Sequence, residues 1–282
     1  MTASQKTLES PDGLAGQSLG AAPCSLILGD CLDAMKTLPD KSVDAIITDL
    51  PYGTTYAPWD SVIPLHDLWT EWARILVPAG AIVLTASQPF TAALVMSNPK
   101  WFRCEWIWDK VNAANFANAK KQPLKSHESV LVFAERQPTY NPQKVPGAKN
   151  HAQGKSTVNS SETRRINGRV EDDLSGMKYP KSIQTFPKHS SQCGLHPTQK
   201  PLALMRYMVR TYTNPGDVVL DPCMGSGTTC LAAKLEGRGY IGIERELKYF
   251  ETAKTRIEGD ADLFSANDSS AADRLRRTPQ SH

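Results

Sequence analysis

The sequence has few cysteines, no paired cysteine motif and no long apolar run. Its six cysteines are scattered over 282 residues without a C-x-x-C motif or a histidine at ligand spacing, which argues against a zinc site and a disulfide framework. No segment approaches the length of a membrane span, and the first residues lack the apolar core of a signal peptide. We therefore expect no metal, no membrane partner, reduced thiols and a cytoplasmic location.

The net charge is small, but it is unevenly distributed. The chain has 32 Lys and Arg against 29 Asp and Glu, a formal charge of +3, and an ordinary globular share of 40% apolar residues. Residues 136–195 alone hold ten basic and four acidic residues, an excess of +6, among Pro, Gly, Ser and Asn without an apolar period. A basic segment on a near-neutral body is typical of a polyanion-binding protein. A solvated basic loop would have the same composition.

Strand and helix patterns alternate on both sides of this segment. Short apolar runs predict strands at CSLILGD, SVDAIITD, AIVLTAS, FRCEWIWDK, ESVLVFAE and GYIGIE, and one more that ends at Asp221. Helical spacing occurs in CLDAMKTLP, in IPLHDLWTEWARILVPAG up to Pro78–Gly80, and in PFTAALVMSNP. Further helices are predicted from Pro201, over Thr228–Glu236, and in the segment after GYIGIE. The alternation predicts an α/β fold with a mostly parallel, doubly wound sheet.

The segment DPCMGSGTT connects the strand that ends at Asp221 to a helix. Gly225 and Gly227 let bare backbone approach a ligand at the carboxyl end of the sheet, where open α/β sheets bind ligands. Glu244 closes the next strand, and an acidic side chain there can accept hydrogen bonds from both hydroxyls of a ribose. The pattern predicts a nucleoside pocket. A glycine turn made only for tight packing of strand and helix is the alternative.

Three classes of ligand compete for this pocket. A P-loop needs a lysine directly after its last glycine, and Gly227 is followed by Thr228. A dinucleotide site needs a third glycine three residues after the second, where this sequence has Cys230. S-Adenosylmethionine needs no phosphate site, so it fits the pattern best.

A second unusual segment, DLPY, follows the apolar run VDAIIT. Pro51 has no N–H to give to a sheet, and it restricts Leu50 to extended geometry. The strand therefore cannot simply turn and continue. The carboxylate of Asp49 and the ring of Tyr52 are presented at the edge of the sheet.

Three segments together resemble the amino-methylating DNA methyltransferases, whose paired motifs are D/N/S-P-P-Y and D-P-F-x-G-S-G-T. DLPY matches the first motif with Leu50 in place of proline, and DPCMGSGTT matches the second with Cys223 in place of phenylalanine. HPTQKP at 196–201 is a third hallmark. The catalytic motif precedes the glycine turn, an order that resembles the β class of these enzymes. The resemblance implies a Rossmann-like methyltransferase fold that is circularly permuted, so that SLILGD supplies the strand that would have followed the last helix.

The motifs and the composition divide the chain into five parts. Residues 1–23 are expected to be a disordered N-terminal tail, and residues 259–282 a flexible C-terminal tail. Residues 24–135 would form the catalytic half of the methyltransferase domain, and residues 196–258 its cofactor-binding half. The basic residues 136–195 would be the inserted target recognition region.

The resemblance also implies a role for each motif residue. Asp49 and the carbonyl of Leu50 would accept the N–H groups of an exocyclic amine and aim its lone pair at the sulfonium methyl. Pro51 belongs to the same catalytic segment, and Tyr52 would stack on a base that has swung out of the duplex. The expected cofactor-binding residues are Asp30, Cys31, Thr198, Lys200, Asp221, Pro222, Gly225, Gly227, Thr228 and Glu244.

Some of these cofactor contacts are specific. Asp30 would bind the adenine amine of the cofactor, and Glu244 its ribose. Thr198 and Lys200 would hold its carboxylate end. A helix N-cap is the alternative for Asp30, and an ordinary solvated lysine is the alternative for Lys200.

Double-stranded DNA is the expected partner. Asp at the first motif position favours adenine N6 as the methylated atom, with cytosine N4 as the second choice and a catalytically silent DNA-binding module of the same fold as the third. The residues expected to contact DNA are Lys110, Asn112, Lys120, Arg164, Arg165 and Arg169. A homodimer and a cognate restriction endonuclease are further candidate partners. Trp106 and Trp108 are expected in the core, and His127–Glu128 receive no role.

Overall fold

The computed structural model describes residues 22–53, 60–147, 176–187 and 199–259. Its helices are α1 (Cys31–Lys36), α2 (Leu65–Ile75), α3 (Phe90–Ser97), α4 (Leu202–Tyr212), α5 (Thr228–Leu235) and α6 (Leu247–Glu258). Its strands are β1 (Cys24–Leu28), β2 (Val43–Thr48), β3 (Leu76–Ala86), β4 (Phe102–Ala114), β5 (Lys125–Phe133), β6 (Val145–Pro146), β7 (Met177–Lys178), β8 (Ile183–Thr185), β9 (Val218–Asp221) and β10 (Gly239–Glu244).

Eight of these strands form one sheet in the order β1-β10-β9-β2-β3-β5-β4-β8. Neighbours are parallel except where β5 pairs with β3 and with β4, so β5 runs against the other strands of this sheet. The mostly parallel sheet confirms the predicted fold class. β1 pairs in parallel with β10, with Ser25 opposite Ile241, so the first strand lies beside the last one, as the permuted order implies.

Helices cover both faces of the sheet. On one face, α1, α2 and α3 bury apolar side chains such as Met35 and Trp72. On the other face, α4, α5 and α6 bury side chains such as Leu231 and Ile257. Each large apolar side chain removed from water contributes about 1.5 to 3 kcal/mol. The two cores hold the strands firmly, so the loops at the strand ends have defined positions.

The helix predicted up to Gly80 ends earlier, at Ile75. Pro78 has no N–H to donate to the carbonyl of Arg74, so the helical hydrogen-bond ladder cannot continue through it. The chain enters β3 already at Leu76 and pairs there with β2. The predicted strand therefore exists but begins earlier than the apolar run AIVLTAS indicated.

The described parts of the basic segment contain strands that the sequence analysis did not predict. β6 pairs with β7, and β8 joins the main sheet beside β4, with Ile183 opposite Ile107. Strands of two and three residues are too short to show an alternation of apolar and polar side chains. The division into tails, halves and insertion stays a prediction, since 1–21, 148–175, 188–198 and 260–282 lie outside the described residues.

Three of the expectations drawn from composition concern features that are visible in the fold. Within the described residues, no helix combines the length and the apolar character needed to cross a membrane. The same residues contain no group of three or more His, Cys, Asp or Glu side chains that could hold a metal ion. The described cysteines are free thiols: Cys24, Cys31, Cys104, Cys223 and Cys230.

Candidate active site

The carboxyl ends of four neighbouring strands, β1, β10, β9 and β2, meet at one cavity of about 250 Å³. Its lining includes DLPY after β2, most of DPCMGSGTT after β9, and Glu244 at the end of β10. The direction in which successive strands are added reverses between β9 and β2. Open α/β sheets bind ligands at such a switch point. The fold thus brings the two predicted motifs to one place.

The carboxylate of Asp49 is held at both oxygens. Oδ1 accepts a hydrogen bond from the hydroxyl of Tyr52 at 2.7 Å and another from the hydroxyl of Thr85. Oδ2 is paired with Nζ of Lys200. These partners stand 3, 36 and 151 residues away in the sequence. Each carboxylate oxygen has two lone pairs, so the group can still accept a further N–H.

Lys200 belongs to a buried group of four alternating charges. Its Nζ lies between Asp49 and Oε2 of Glu128, which is 3.7 Å away, and Oε1 of Glu128 is paired with Nζ of Lys110. The side chains of Lys110 and Lys200 are only 7% and 10% exposed. Two ammonium groups and two carboxylates therefore neutralise one another beside the cavity. These four residues are named the charged quartet.

The pKa of Lys200 reflects these neighbours. Burial lowers the pKa of its ammonium group, but the carboxylates of Asp49 and Glu128 outweigh burial and raise it above the ordinary lysine value. Lys200 is consequently charged at neutral pH. The alternative of an ordinary solvated lysine is therefore excluded by the structure.

Tyr52 is fixed at both its ring and its hydroxyl. The ring stacks on Phe90, with centroids 5.3 Å apart and planes inclined by 30°. Burial raises the pKa of Tyr52 well above 10, and the charge of Asp49 adds to this increase. The phenol therefore stays protonated and acts as a hydrogen-bond donor to Asp49.

Glu244 is oriented by backbone groups of the glycine turn and of its own loop. Oε2 accepts a hydrogen bond from the N–H of Gly225 at 2.9 Å, and Oε1 accepts one from the N–H of Glu246 at 2.9 Å. Gly225 has φ of +52°, a conformation that glycine adopts without strain. Burial raises the pKa of Glu244, and these N–H groups oppose that shift. The carboxylate is held in place at the cavity before any ligand arrives.

Gly227 has a different position from the one predicted. Its φ is +73°, and a Cβ there would lie 2.8 Å from Cδ1 of Ile257 in α6. It does not line the cavity, whereas Gly225 does. Tight packing of the turn, which was the alternative explanation of the glycines, accounts for Gly227. Arg256 of α6 reinforces this contact, because its Nη1 donates to the Ser226 carbonyl at 3.1 Å and to the Thr228 hydroxyl at 2.8 Å.

Asp221 is almost fully buried at the end of β9, with 3% of its surface exposed. Burial raises its pKa to about 7, although the N–H of Cys223, 3.2 Å from Oδ1, opposes this shift. The carboxyl group therefore changes charge near neutral pH. The adjacent thiols of Cys223 and Cys31 both line the cavity, and the hydrogen bond between them lowers the pKa of Cys31 and raises that of Cys223.

Asp30 is the N-cap of α1. Its Oδ1 accepts hydrogen bonds from the N–H of Leu32 at 2.9 Å and from that of Asp33 at 3.4 Å. The helix-cap alternative is therefore observed. Asp30 also lines the cavity, together with Cys31, Pro222 and Thr228, so contact with a cofactor stays a prediction for these residues.

The residues predicted to contact DNA are placed in three different ways. Lys110 is buried, is paired with Glu128 and has its Nζ 5.3 Å from the ring centroid of Trp108, so its contact with DNA stays a prediction. Asn112 is exposed near the end of β4, and Lys120 is exposed on the connection between β4 and β5. Outside the described residues lie Arg164, Arg165, Arg169 and the cofactor candidate Thr198.

The sequence analysis missed several residues of the site. Glu128, which received no role, is the centre of the charged quartet. Trp108 is buried, as predicted for a core residue, but it also lines the cavity. Thr85 and Phe90 hold Asp49 and Tyr52 from neighbouring elements. For Glu128 the only available signal was an acidic residue directly before the buried run SVLVF.

Comparison with known proteins relates both motifs to one family. Residues 43–255 match the family model N6_N4_Mtase, described as DNA methylase. The Type II methyltransferase M.HinfI of Haemophilus influenzae is 29% identical over 260 residues, which cover 83% of this chain and 68% of that protein. The Type II methyltransferase M2.MboI of Moraxella bovis is 30% identical over 256 residues, which cover 81% of this chain and 85% of that protein.

Solved structures share the same architecture. The crystal structure of M1.HpyAVI in complex with SAM has a TM-score of 0.59 and 26% identity, and the match covers 83% of this chain and 99% of that one. The PvuII DNA methyltransferase, described as cytosine-N4-specific, has a TM-score of 0.60 with 17% identity, over 89% of this chain and 95% of that one. At that identity the second likeness concerns the fold alone.

Proposed function

The chain belongs to the N6_N4_Mtase family of DNA methylases, and we propose that it transfers the methyl group of S-adenosylmethionine to the N6 amino group of an adenine in a specific sequence of duplex DNA. The observation that carries this proposal is the meeting of Asp49–Tyr52, Gly225 and Glu244 at one cavity. Such a transfer requires hydrogen-bond acceptors for the amino group of the base, a ring on which the base can stack, and an acceptor for the ribose hydroxyls of the cofactor.

The described residues fit the cofactor. Glu244 presents a carboxylate whose two oxygens are already aligned by the N–H groups of Gly225 and Glu246, and each oxygen keeps a lone pair for a ribose hydroxyl. The charged Lys200 can pair with the carboxylate end of the cofactor, with Thr198 beside it in sequence. Asp30, Cys31, Pro222 and Thr228 would complete the contacts. The bound cofactor supplies a sulfonium methyl group.

Asp49 and Leu50 would prepare the amine for attack. The exocyclic nitrogen of a base is a poor nucleophile because its lone pair is delocalised into the ring. Asp49 and the carbonyl of Leu50 would each accept one of its N–H groups, which draws the nitrogen towards tetrahedral geometry and directs the lone pair towards the methyl carbon. Leu50 is buried, with 3% exposure, so its backbone is held although proline is absent at this position.

Tyr52 would receive the base. Its ring is supported by Phe90 and tied to Asp49, so a base stacked on Tyr52 would have its amino group close to the carboxylate. Stacking on an aromatic ring offsets part of the few kcal/mol that base extrusion costs. Pro51 keeps the segment extended between the two groups.

The target atom can be identified directly. The purified full-length protein is incubated with unmethylated DNA and methyl-labelled S-adenosylmethionine, and the nucleosides are separated by mass spectrometry. We expect label in N6-methyl-2′-deoxyadenosine, because the first motif residue is Asp49 rather than serine. Label in N4-methyl-2′-deoxycytidine alone would overturn the adenine assignment. Retained DNA binding without any label would identify a catalytically silent module and overturn the activity.

Partners and location complete the proposal. Duplex DNA is the substrate, and sequencing of modified bases in DNA exposed to the protein would identify the recognition sequence. A cytoplasmic location would give access to DNA and keep the cavity thiols of Cys31 and Cys223 reduced. A homodimer and a cognate restriction endonuclease remain proposed partners, which size measurement in solution and inspection of neighbouring genes would test.

A further inference from the structure

The hairpin formed by β4 and β5 extends past the carboxyl edge of the sheet. β3 ends at Ala86, opposite Ser129, whereas β4 and β5 continue beyond this point. Trp108 and Glu128, which pair across the hairpin, line the cavity. The end of β4 from Val111 and the connection from β4 to β5 therefore stand at the rim of the cavity. Together these residues, 111–124, are named the hairpin tip.

The hairpin tip exposes three large apolar side chains. Val111 is 51%, Phe116 68% and Leu124 38% exposed. Val111 also has φ of +67°, a conformation that costs a β-branched residue of the order of 1 to 3 kcal/mol. Single exposed apolar residues are ordinary on protein surfaces. Three of them at one end of a hairpin beside a cavity favour an apolar partner for the tip.

The same connection is strongly basic. Between Asp109 and Glu128 the sequence contains four lysines and no acidic residue. Lys110 is neutralised by Glu128, but Lys120 and Lys121 are exposed four and five residues after Phe116. An exposed aromatic ring followed by two exposed cations matches duplex DNA, which offers apolar base faces inside a row of phosphates.

We propose that Phe116 is a wedge that enters the base stack of duplex DNA next to the target base while Lys120 and Lys121 contact the flanking phosphates. This inference rests on the proposed function, since it concerns the same substrate and the same cavity. When the target base leaves the stack towards Tyr52, its neighbouring bases lose a stacking partner. The ring of Phe116 would take the place of that base. Wedges of this kind are apolar side chains that partly unstack a base step.

The geometry of the tip supports this role. Phe116 begins a short 3-10 turn, Phe116–Asn118, and the side-chain amide of Asn118 donates to Oδ1 of Asn115 at 2.7 Å. Asn115 has φ of +71°, a conformation that asparagine tolerates better than most residues. The turn is thus ordered by its own side chains, so the ring is presented without a large loss of entropy on binding.

The decisive comparison uses two duplexes that differ only at the target pair. In one duplex the target base is normally paired. In the other it faces an abasic site, so that it is already partly unstacked. We expect Phe116→Ala to lower kcat/KM about tenfold or more on the paired duplex, which corresponds to the lower end of aromatic stacking on a base. On the abasic duplex the variant should act within about threefold of the wild type, and Phe116→Trp should retain activity on both.

Two controls make the comparison specific. Met96→Ala truncates an apolar side chain of α3 that is 73% exposed, and it should leave both duplexes unaffected. Replacing Lys120 and Lys121 by glutamine should weaken binding to both duplexes and lower the slope of log K against log salt by about 0.9 for each phosphate that is no longer neutralised. Equal losses of activity in Phe116→Ala on the two duplexes, or no loss on the paired one, would overturn the wedge.

Base extrusion can be followed without methyl transfer. 2-Aminopurine at the target position becomes fluorescent when it is unstacked, and Phe116→Ala should reduce that increase on the paired duplex. If the wild type transfers no methyl group to any DNA, the proposed activity fails. The fluorescence comparison would still decide the wedge, since an equal signal from wild type and variant would contradict it.

Discussion

The two walls of the cavity are held in place by different interactions. The glycine-turn wall, Asp221–Thr228 with Glu244, is set by backbone N–H groups that reach the Glu244 carboxylate over 19 and 2 residues of the sequence. The DLPY wall is set by the charged quartet, whose members come together from positions up to 151 residues apart. The first wall can position a cofactor through its local shape. The second wall can neutralise and orient a catalytic carboxylate. Substitutions should therefore separate cofactor binding from catalysis.

Removal of Glu128 should have the largest effect on the protein. Glu128→Ala leaves Lys110 unpaired in a buried position and takes one of two carboxylates from Lys200. Removing one partner of a buried ion pair costs about 3 to 5 kcal/mol. Urea unfolding should show a decrease of that order in the free energy of unfolding.

A matched control is available on the surface. The pair between Lys36 and Asp33 has side chains that are 63% and 77% exposed, so Asp33→Asn should produce no measurable change. Adding Lys110→Met to Glu128→Ala should recover part of the loss, because no unpaired ammonium remains. If Glu128→Ala is no more destabilising than Asp33→Asn, the quartet does not hold this wall.

Removal of Asp49 should affect catalysis rather than cofactor binding. We expect Asp49→Ala to cost about 2.7 to 4 kcal/mol of transition-state stabilisation, comparable to the loss of one oxyanion-hole donor, which is about 100- to 1000-fold in kcat. Single-turnover methyl transfer measures this loss, and calorimetry with S-adenosylmethionine should show little change in Kd. Near-normal turnover of the variant would refute the proposed mechanism.

A substitution in the glycine-turn wall should weaken cofactor binding and leave catalysis unchanged. Glu244→Gln removes a charged acceptor that we propose for the ribose hydroxyls, and hydrogen bonds to charged groups contribute about 1.5 to 3 kcal/mol. The Kd for S-adenosylmethionine should rise more than about tenfold, while kcat at saturating cofactor stays near the wild-type value. A fall in kcat with unchanged Kd would contradict the assignment of cofactor binding to the glycine-turn wall and catalysis to the DLPY wall.

The smallest expected effect is the change in the free energy of unfolding per pH unit that the titration of Asp221 causes. Its pKa of about 7 lies above the ordinary value of 3.8. Between these values the unfolded chain has lost the proton that the native carboxyl still holds, so the free energy of unfolding decreases as pH rises, by up to about 1.4 kcal/mol per pH unit. Asp221→Asn should remove this part of the slope in unfolding curves from about pH 4 to 7. Identical slopes would place the titration elsewhere.

Local features of the sequence predicted the glycine-turn wall better than the DLPY wall. The strand ending at Asp221, the glycine turn and Glu244 lie within one short stretch, and the structure places them as a unit. The residues of DLPY also stand where their motif indicates. Their partners Thr85 and Lys200 come from distant parts of the chain, and no local pattern predicts that this hydrogen bond and this ion pair meet at Asp49.

Lys110 shows why the other contacts of the site could not be predicted from the sequence. A lysine in a polar connection is typical of a surface cation, and its burial depends on the register between β4 and β5, which places it beside Glu128. A shift of one residue would turn it to the other face of the hairpin. The early end of α2 at Ile75 had a visible cause in Pro78, but the exact boundary depends on pairing with β2.

The contact between α6 and the glycine turn determines how far the chain can be shortened. Arg256 holds the carbonyl of Ser226 and the hydroxyl of Thr228, and Ile257 fills the space beside Gly227. Deleting the last turn of α6 would release the cofactor side of the cavity although it removes none of the lining residues. Purification tags and fusion partners therefore belong after Gly259, where they leave this anchor untouched.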